Sequence, residues 1–266
     1  PYDNTRKERG FYMEERNSLD LVFVGSSELF STVIPEVLED KEGYSSYVFA
    51  GNEQPFSISY YYIMETLKYQ KPKAIVLETS YCNWGKLPRE AVVRINFDDL
   101  RWGKAKVLGI LNNVPRSEWE YYFFELSKYH SRWDSIGRED LMWWEIYHSK
   151  NPTKGWSSYI KGNAPEDDYG ETVAPEILNN HERMALAPEA MEWLDKIIHL
   201  CEKNEVELIL VKTPNGGKII DDNVDKKSDN AFNYIDGMAY YNELESIAEE
   251  RGIPFLNMNL LMTGRH

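Results

Sequence analysis

The stretch Leu19-Asp20-Leu21-Val22-Phe23-Val24-Gly25-Ser26-Ser27-Glu28-Leu29 passes from an apolar run through a Gly-Ser-Ser turn into a helical pattern. Residues 19–24 are rich in β-branched and large apolar side chains and predict a strand. Gly25 and the two serines end it. Leu29, Val33 and Val37 then recur at helical spacing and predict a helix over 28–39, broken by Gly43. Working outward, residues 44–50 read as a second strand closed by Gly51-Asn52. Pro55 opens a helix over 56–69, as prolines in first turns do, and Pro72 ends the unit. Residues 74–77 are a short continuous apolar run, typical of a strand buried on both faces. Strand followed by helix, repeated, predicts a parallel doubly wound sheet.

The rhythm stops near residue 84. From about 84 to 180 the chain has helical segments, clear at 117–128 and 138–148, and loops rich in Gly, Pro and Asn at 151–169. This reads as an aromatic-rich insertion packed over one end of the sheet. The alternation resumes at Pro188. Residues 190–203 form an amphipathic helix, with Trp193, Ile197, Leu200 and Cys201 along one face. A strand over 206–211 ends in Lys212-Thr213-Pro214, a loop carries Gly216-Gly217, and a helix spans 232–250 with Gly252 as its C′ residue. Residues 253–256 give a fifth strand. The expectation is one α/β domain over 1–266, flavodoxin-like, with a mostly parallel five-stranded sheet and the 84–180 insertion inside it.

Composition narrows the partners. Lys and Arg number 30 against 44 Asp and Glu, a net charge of -14, which repels a phosphate backbone or an anionic membrane surface. Nucleic acid is therefore not an expected partner. With 2 Cys, Cys82 and Cys201, the chain is neither a disulfide scaffold nor a four-thiolate metal site. No apolar run approaches the roughly 20 residues that span a bilayer. The chain opens on a charged stretch without Met and reads as a fragment, which leaves room for a leader or membrane anchor upstream. Oligomeric state is not readable. Of the 8 Trp and 18 Tyr, seven Trp and five Tyr fall between 84 and 160, where aromatics either line a polymer cleft or fill a core.

Parallel open sheets gather their reactive groups at the carboxyl ends of the strands. Those ends carry Gly25-Ser26-Ser27-Glu28, Gly51-Asn52-Glu53-Gln54, Glu78-Thr79 and Lys212-Thr213-Pro214-Asn215. Ser27 stands where a strand becomes a helix, which exposes a hydroxyl and favours developing negative charge. Equally, Ser26 or Ser27 caps the helix. Gly51 lets backbone approach a ligand and Asn52 offers an oxyanion donor, or both simply end a strand. A nucleophilic serine needs a base, and the imidazoles are His130, His148, His181, His199 and His266. His199 lies mid-helix beside the apolar stripe, His148 and His181 at surface positions, and His130 within Tyr129-His130-Ser131-Arg132-Trp133. His266 alone follows the last strand. Gly216-Gly217-Lys218 lacks the spacing that cradles phosphates, which disfavours a nucleotide binder.

These residues match a known pattern. Phe23-Val24-Gly25-Ser26-Ser27-Glu28-Leu29 resembles the first block of the SGNH/GDSL superfamily, in the Gly-Ser-Ser branch of the teichoic acid D-alanylation acyltransferase and alginate O-acetyltransferase-like proteins. Tyr47-Val48-Phe49-Ala50-Gly51-Asn52-Glu53-Gln54-Pro55 is similar to the second block of that branch. Lys68-Tyr69-Gln70-Lys71-Pro72-Lys73, Tyr129 to Trp133, and Val211-Lys212-Thr213-Pro214 are similar to SGNH-like proteins of Gram-positive bacteria. The resemblance runs from about residue 17 to residue 260.

The resemblance implies a nucleophile at Ser27 and an oxyanion hole from the N–H of Ser27 with Gly51 and Asn52. Where the family's third block has Gly-x-Asn, this chain has Leu77 to Asn83, leaving Asn83 as the candidate donor. The family's Asp-x-x-His falls on Thr263 to His266, so His266 is the candidate base and Thr263 replaces the acid. Three accounts fit that ending: the sequence stops at the catalytic histidine, residues are missing between 261 and 263, or His266 is a tag remnant. Glu28, Gln54 and Lys212 at the strand ends, with His130, Arg132 and Trp133 of the insertion, are the candidate substrate contacts. No metal and no cofactor are implied. The implied activity is hydrolysis or transfer of an acyl ester on an extracytoplasmic cell-envelope glycan or polymer. The alternative is a binding module on the same sheet without a complete triad, with Glu28, Glu53 and Glu78 forming an acidic pocket.

Overall fold

The computed structural model describes residues 8–123, 150–157, 181–214 and 234–258. Five strands form one sheet: β1 (Leu21–Val24), β2 (Ser46–Val48), β3 (Ala74–Glu78), β4 (Glu207–Lys212) and β5 (Phe255–Asn257). Their order is β2-β1-β3-β4-β5 and every pairing is parallel. This is the order of flavodoxin-like sheets, with a topological switch point between β1 and β3. The central strand β3 is buried at all five residues, as its unbroken apolar reading requires.

The first crossover differs from the sequence reading. In place of one helix over 28–39 there are two, α1 (Ser27–Thr32) and α2 (Pro35–Glu42). Pro35 has no N–H to donate and disfavours helical backbone at Ile34, which is extended at φ -108°, ψ 101°. Gly43 ends α2 in the left-handed region, φ 73°. Helix α3 (Phe56–Tyr69) has the expected bounds, with Pro55 as its N-cap.

Within the insertion the structure places α4 (Glu90–Phe97), α5 (Lys104–Asn113), a 3-10 turn at Arg116–Glu118 and α6 (Trp119–Phe123). The sequence reading assigned neither α4 nor α5. Both join α3: the Tyr61 ring meets Phe97, the Tyr62 hydroxyl donates to the Asn96 carbonyl at 2.7 Å, and Gly109 lies against Phe97. The helix expected at 138–148 lies outside the described residues. Helices α7 (Pro188–Lys203) and α8 (Tyr234–Glu250) complete the set.

Alternation along the strands sends side chains to two faces. Val22, Val24, Tyr47, Phe49, Ile75, Leu77, Leu208 and Leu210 share one core with residues of α3, α7 and α8. Phe23, Val48, Ala50, Val76 and Val211 share the other with Leu29 and Phe30 of α1. Phe11 stacks on Phe49 with ring centroids 4.2 Å apart, which seats the N-terminal turn on the first face. Residues 150–157 return to the outer edge of β2, where the Val48 N–H donates to the Lys154 carbonyl at 2.9 Å. Among the described residues no helix is long and apolar enough to cross a membrane.

Ile75 is fully buried at the centre of β3. Truncation by Ile75→Ala is expected to cost about 2–5 kcal/mol of unfolding free energy. Urea titration of the variant checks this, and a loss under 1 kcal/mol would contradict the two-faced core.

Candidate functional site

The turn after β1 is built by close approach. A Cβ added at Gly25 would stand 2.4 Å from the Glu78 Cβ, so no side chain fits between β1 and β3 there. Ser26 is the N-cap of α1, and its hydroxyl oxygen accepts from the Glu28 N–H at 3.3 Å. The same hydroxyl donates to Glu78 Oε2 at 2.7 Å, and the Ser26 N–H reaches that oxygen at 3.2 Å. The two serines therefore divide the roles that the sequence left open. Ser26 is buried and caps; Ser27 is the first residue of α1, half-buried, with its hydroxyl outside the capping bond.

Under this turn lies a buried charged network. Glu78 ends β3, and its Oε1 accepts from the Ser80 N–H at 2.6 Å. Lys212 ends β4 and is wholly buried. Its ammonium donates to Glu28 Oε2 at 2.6 Å, to Ser80 Oγ at 2.9 Å and to the Thr213 carbonyl at 2.9 Å. The Ser80 and Thr213 hydroxyls also donate to Glu28 Oε2. Tyr241 of α8 lays its ring 5.5 Å from the ammonium. Burial raises the Glu78 carboxyl above its usual range and the Glu28 charge adds to this, against Lys212, Ser80 and Ser26, which favour the anion. Burial also pushes the Cys82 thiol up to about 12, with Glu78 contributing. Cys82 and Cys201 are both buried free thiols.

The end of β2 is braced differently. The Gly51 N–H donates to Gln54 Oε1 at 2.9 Å and to the Gly25 carbonyl at 3.1 Å. Gln54 is buried and passes its amide to Ser59 Oγ at 3.1 Å. Asn96 of α4 donates to the Asn52 carbonyl at 2.9 Å and to the Val92 carbonyl at 2.7 Å. Its Oδ1 fills the space a Cβ at Gly51 would need, 1.8 Å from that position. Glu53 takes left-handed backbone, φ 46°, and its carboxylate pairs with Arg89. Asn83 accepts from the Ala187 N–H at 2.6 Å and ties the loop after β3 to the start of α7.

The fold thus brings Ser27, Glu28, Gly51, Asn52, Glu78 and Lys212 to one end of the sheet. It commits the Gly51 N–H and Gln54 to the β2 loop, Asn83 to α7, and the Lys212 ammonium to the interior. His130, Arg132, Trp133 and His266 lie outside the described residues. His181 and His199 make no hydrogen bond to Ser27. Sequence reasoning missed Ser80 and Asn96 as parts of this arrangement. Ser80 carried a signal, standing two residues after the β3 carboxylate; Asn96 carried none while α4 was unassigned. Among the described residues no group of three or more His, Cys, Asp or Glu could hold a metal ion. Fold and site together define an α/β protein with a cluster of polar groups at the carboxyl ends of its strands. No family model, curated protein or solved structure matches the chain.

Because the Glu78 pKa is raised in the fold, the stability it contributes is fully present below the usual carboxylate range and is lost as pH rises through its folded value. Glu78→Gln removes that titration at the cost of a constant offset from a mismatched acceptor. In urea titrations across pH, the variant is expected to gain relative to wild type as pH rises above the carboxylate range. A difference independent of pH would contradict this assignment.

Proposed function

We propose that the chain is a serine-dependent acyl-ester hydrolase or O-acyltransferase of SGNH/GDSL type. It acts on an acylated cell-envelope glycan or polymer outside the cytoplasm, through an acyl-Ser27 intermediate. One observation carries this reading: at the carboxyl end of β1, beside the switch point, the capping bond is made by Ser26, and the adjacent half-buried Ser27 keeps its hydroxyl outside that bond. A hydroxyl serving only to end a helix has no need of a second serine beside it. The gathering of the Gly-Ser-Ser block, the Gly51-Asn52 block and the Lys212-Thr213 strand end at one end of the sheet supports the same reading.

In the reaction the Ser27 oxygen attacks the ester carbonyl and its proton passes to a base, for which His266 is the candidate by resemblance. The ester C–O bond breaks, the alcohol leaves with a proton, and the acyl group remains on Ser27. Water or a sugar hydroxyl then takes the acyl group and restores the serine. The Ser27 N–H, which has no backbone acceptor among the described residues, is the donor best placed for the oxyanion. The Gly51 N–H is already held by Gln54 Oε1 and the Gly25 carbonyl, and joins the hole only by leaving both.

A second reading, a non-catalytic carbohydrate- or polymer-binding module, is favoured by that same engaged Gly51 N–H. A fluorophosphonate probe separates the two. The enzyme is expected to form an adduct on Ser27, located by peptide mass spectrometry. The adduct should be abolished in Ser27→Ala and retained, more slowly formed, in Ser26→Ala. A folded wild-type protein that never labels at Ser27 would leave the binding module as the surviving reading.

A further inference from the structure

We infer that Lys212 is a positioning residue that fixes Ser27 by holding both of its chain neighbours through one buried ammonium. On one side, Lys212 donates to Glu28 Oε2 at 2.6 Å, and Glu28 directly follows Ser27. On the other, it donates to Ser80 Oγ at 2.9 Å; the Ser80 N–H holds Glu78 Oε1 at 2.6 Å, and Glu78 Oε2 holds the Ser26 N–H and hydroxyl. The chain of contacts closes into a ring of Ser26, Glu78, Ser80, Lys212 and Glu28, with Ser27 as the one residue of the turn whose side chain is not part of it. Residues before and after Ser27 are thus anchored to β3 and β4, which fixes the backbone that carries the Ser27 side chain. A turn of this kind needs such bracing, since α1 is only six residues long and cannot hold its own first turn.

The ring has an electrostatic consequence beyond placement. Charged and titratable groups facing the ammonium among the described residues include Glu28 from α1, Glu78 from β3, Cys82 from the loop after it, and Tyr241 from α8. With Lys212 present its charge offsets the carboxylates beneath the turn; without it they act on whatever group accepts the Ser27 proton. A space-filling residue would set the geometry but not this field.

This inference deepens the reading of Ser27 as nucleophile, and its test separates the two. The full chain is prepared as wild type, Lys212→Met, Glu28→Gln and the double variant, and fluorophosphonate labelling of Ser27 is followed against pH. Lys212→Met is expected to label at least about tenfold more slowly, with the rising limb of its pH profile moved up by about half a unit, since an uncompensated carboxylate favours the protonated base. Adding Glu28→Gln is expected to bring the midpoint back toward wild type. Slower labelling with an unmoved midpoint would assign Lys212 a purely structural role and overturn the proposal, as would labelling at the wild-type rate. Amide hydrogen exchange gives a readout that needs no reactivity. In Lys212→Met the Ser26 and Glu28 amides are expected to exchange about tenfold faster while residues 75–77 keep wild-type protection. Unchanged exchange at Ser26 and Glu28, or equal acceleration throughout, would overturn the ring. If wild-type Ser27 does not label, the enzymatic reading falls while the exchange pattern still decides the ring.

Discussion

Lys212 loses its hydration when β4 is buried, and the fold must return those interactions from protein atoms. It does so with a carboxylate from α1, a hydroxyl from the loop after β3, and the carbonyl of the next residue in the chain. Each acceptor belongs to a different part of the carboxyl end of the sheet. A desolvated cation tolerates little displacement of its acceptors, so satisfying this one ammonium fixes the relative positions of β1, β3 and β4 at their carboxyl ends. The Glu78 carboxylate completes the arrangement by taking the Ser26 N–H and hydroxyl from below. Gly25 makes it possible, because any side chain there would separate the two strands.

The end of β2 obeys a different logic. There the polar groups are neutral amides: Gln54 carries the Gly51 N–H, and Asn96 carries the Asn52 carbonyl. Neutral hydrogen bonds to a loop are individually modest, on the order of 1 kcal/mol net, and can be exchanged for a ligand. The charged half is thus held by a buried ion pair and its hydrogen bonds, and the amide half by neutral hydrogen bonds alone.

Much of the fold was legible because parallel sheets leave strong local marks. The unbroken apolar run at 74–77 read as a strand buried on both faces and the 19–24 run as a strand, and Pro55, Gly43 and Gly252 marked helix ends in chemical terms. Where the reading went astray, the reason is equally local. The split between α1 and α2 follows from Pro35, whose effect on Ile34 was outweighed in the pattern by Leu29, Val33 and Val37. Helices α4 and α5 escaped because their apolar residues answer to α3, a tertiary partner that periodicity does not reveal. At the site, strand-end logic gathered Ser27, Glu28, Gly51, Glu78 and Lys212 correctly in space. It could not say that Gln54 and Asn83 turn inward to hold backbone, or that the lysine faces carboxylates, because hydrogen-bond direction is decided by packing.

The return of residues 150–157 to β2 has a consequence for handling the protein. A three-residue outer strand with unsatisfied N–H and C=O groups invites pairing with a second molecule. Here the Lys154 carbonyl takes the Val48 N–H, the Ser157 N–H takes the Phe30 carbonyl, and Gly155, at φ 90°, comes so close that a Cβ would strike the Val48 carbonyl oxygen. Residues 150–157 are therefore a sheath over an adhesive border. Trimming them to obtain a smaller domain would uncover that border and favour self-association, so a minimal version of this fold must keep the 150–157 strap.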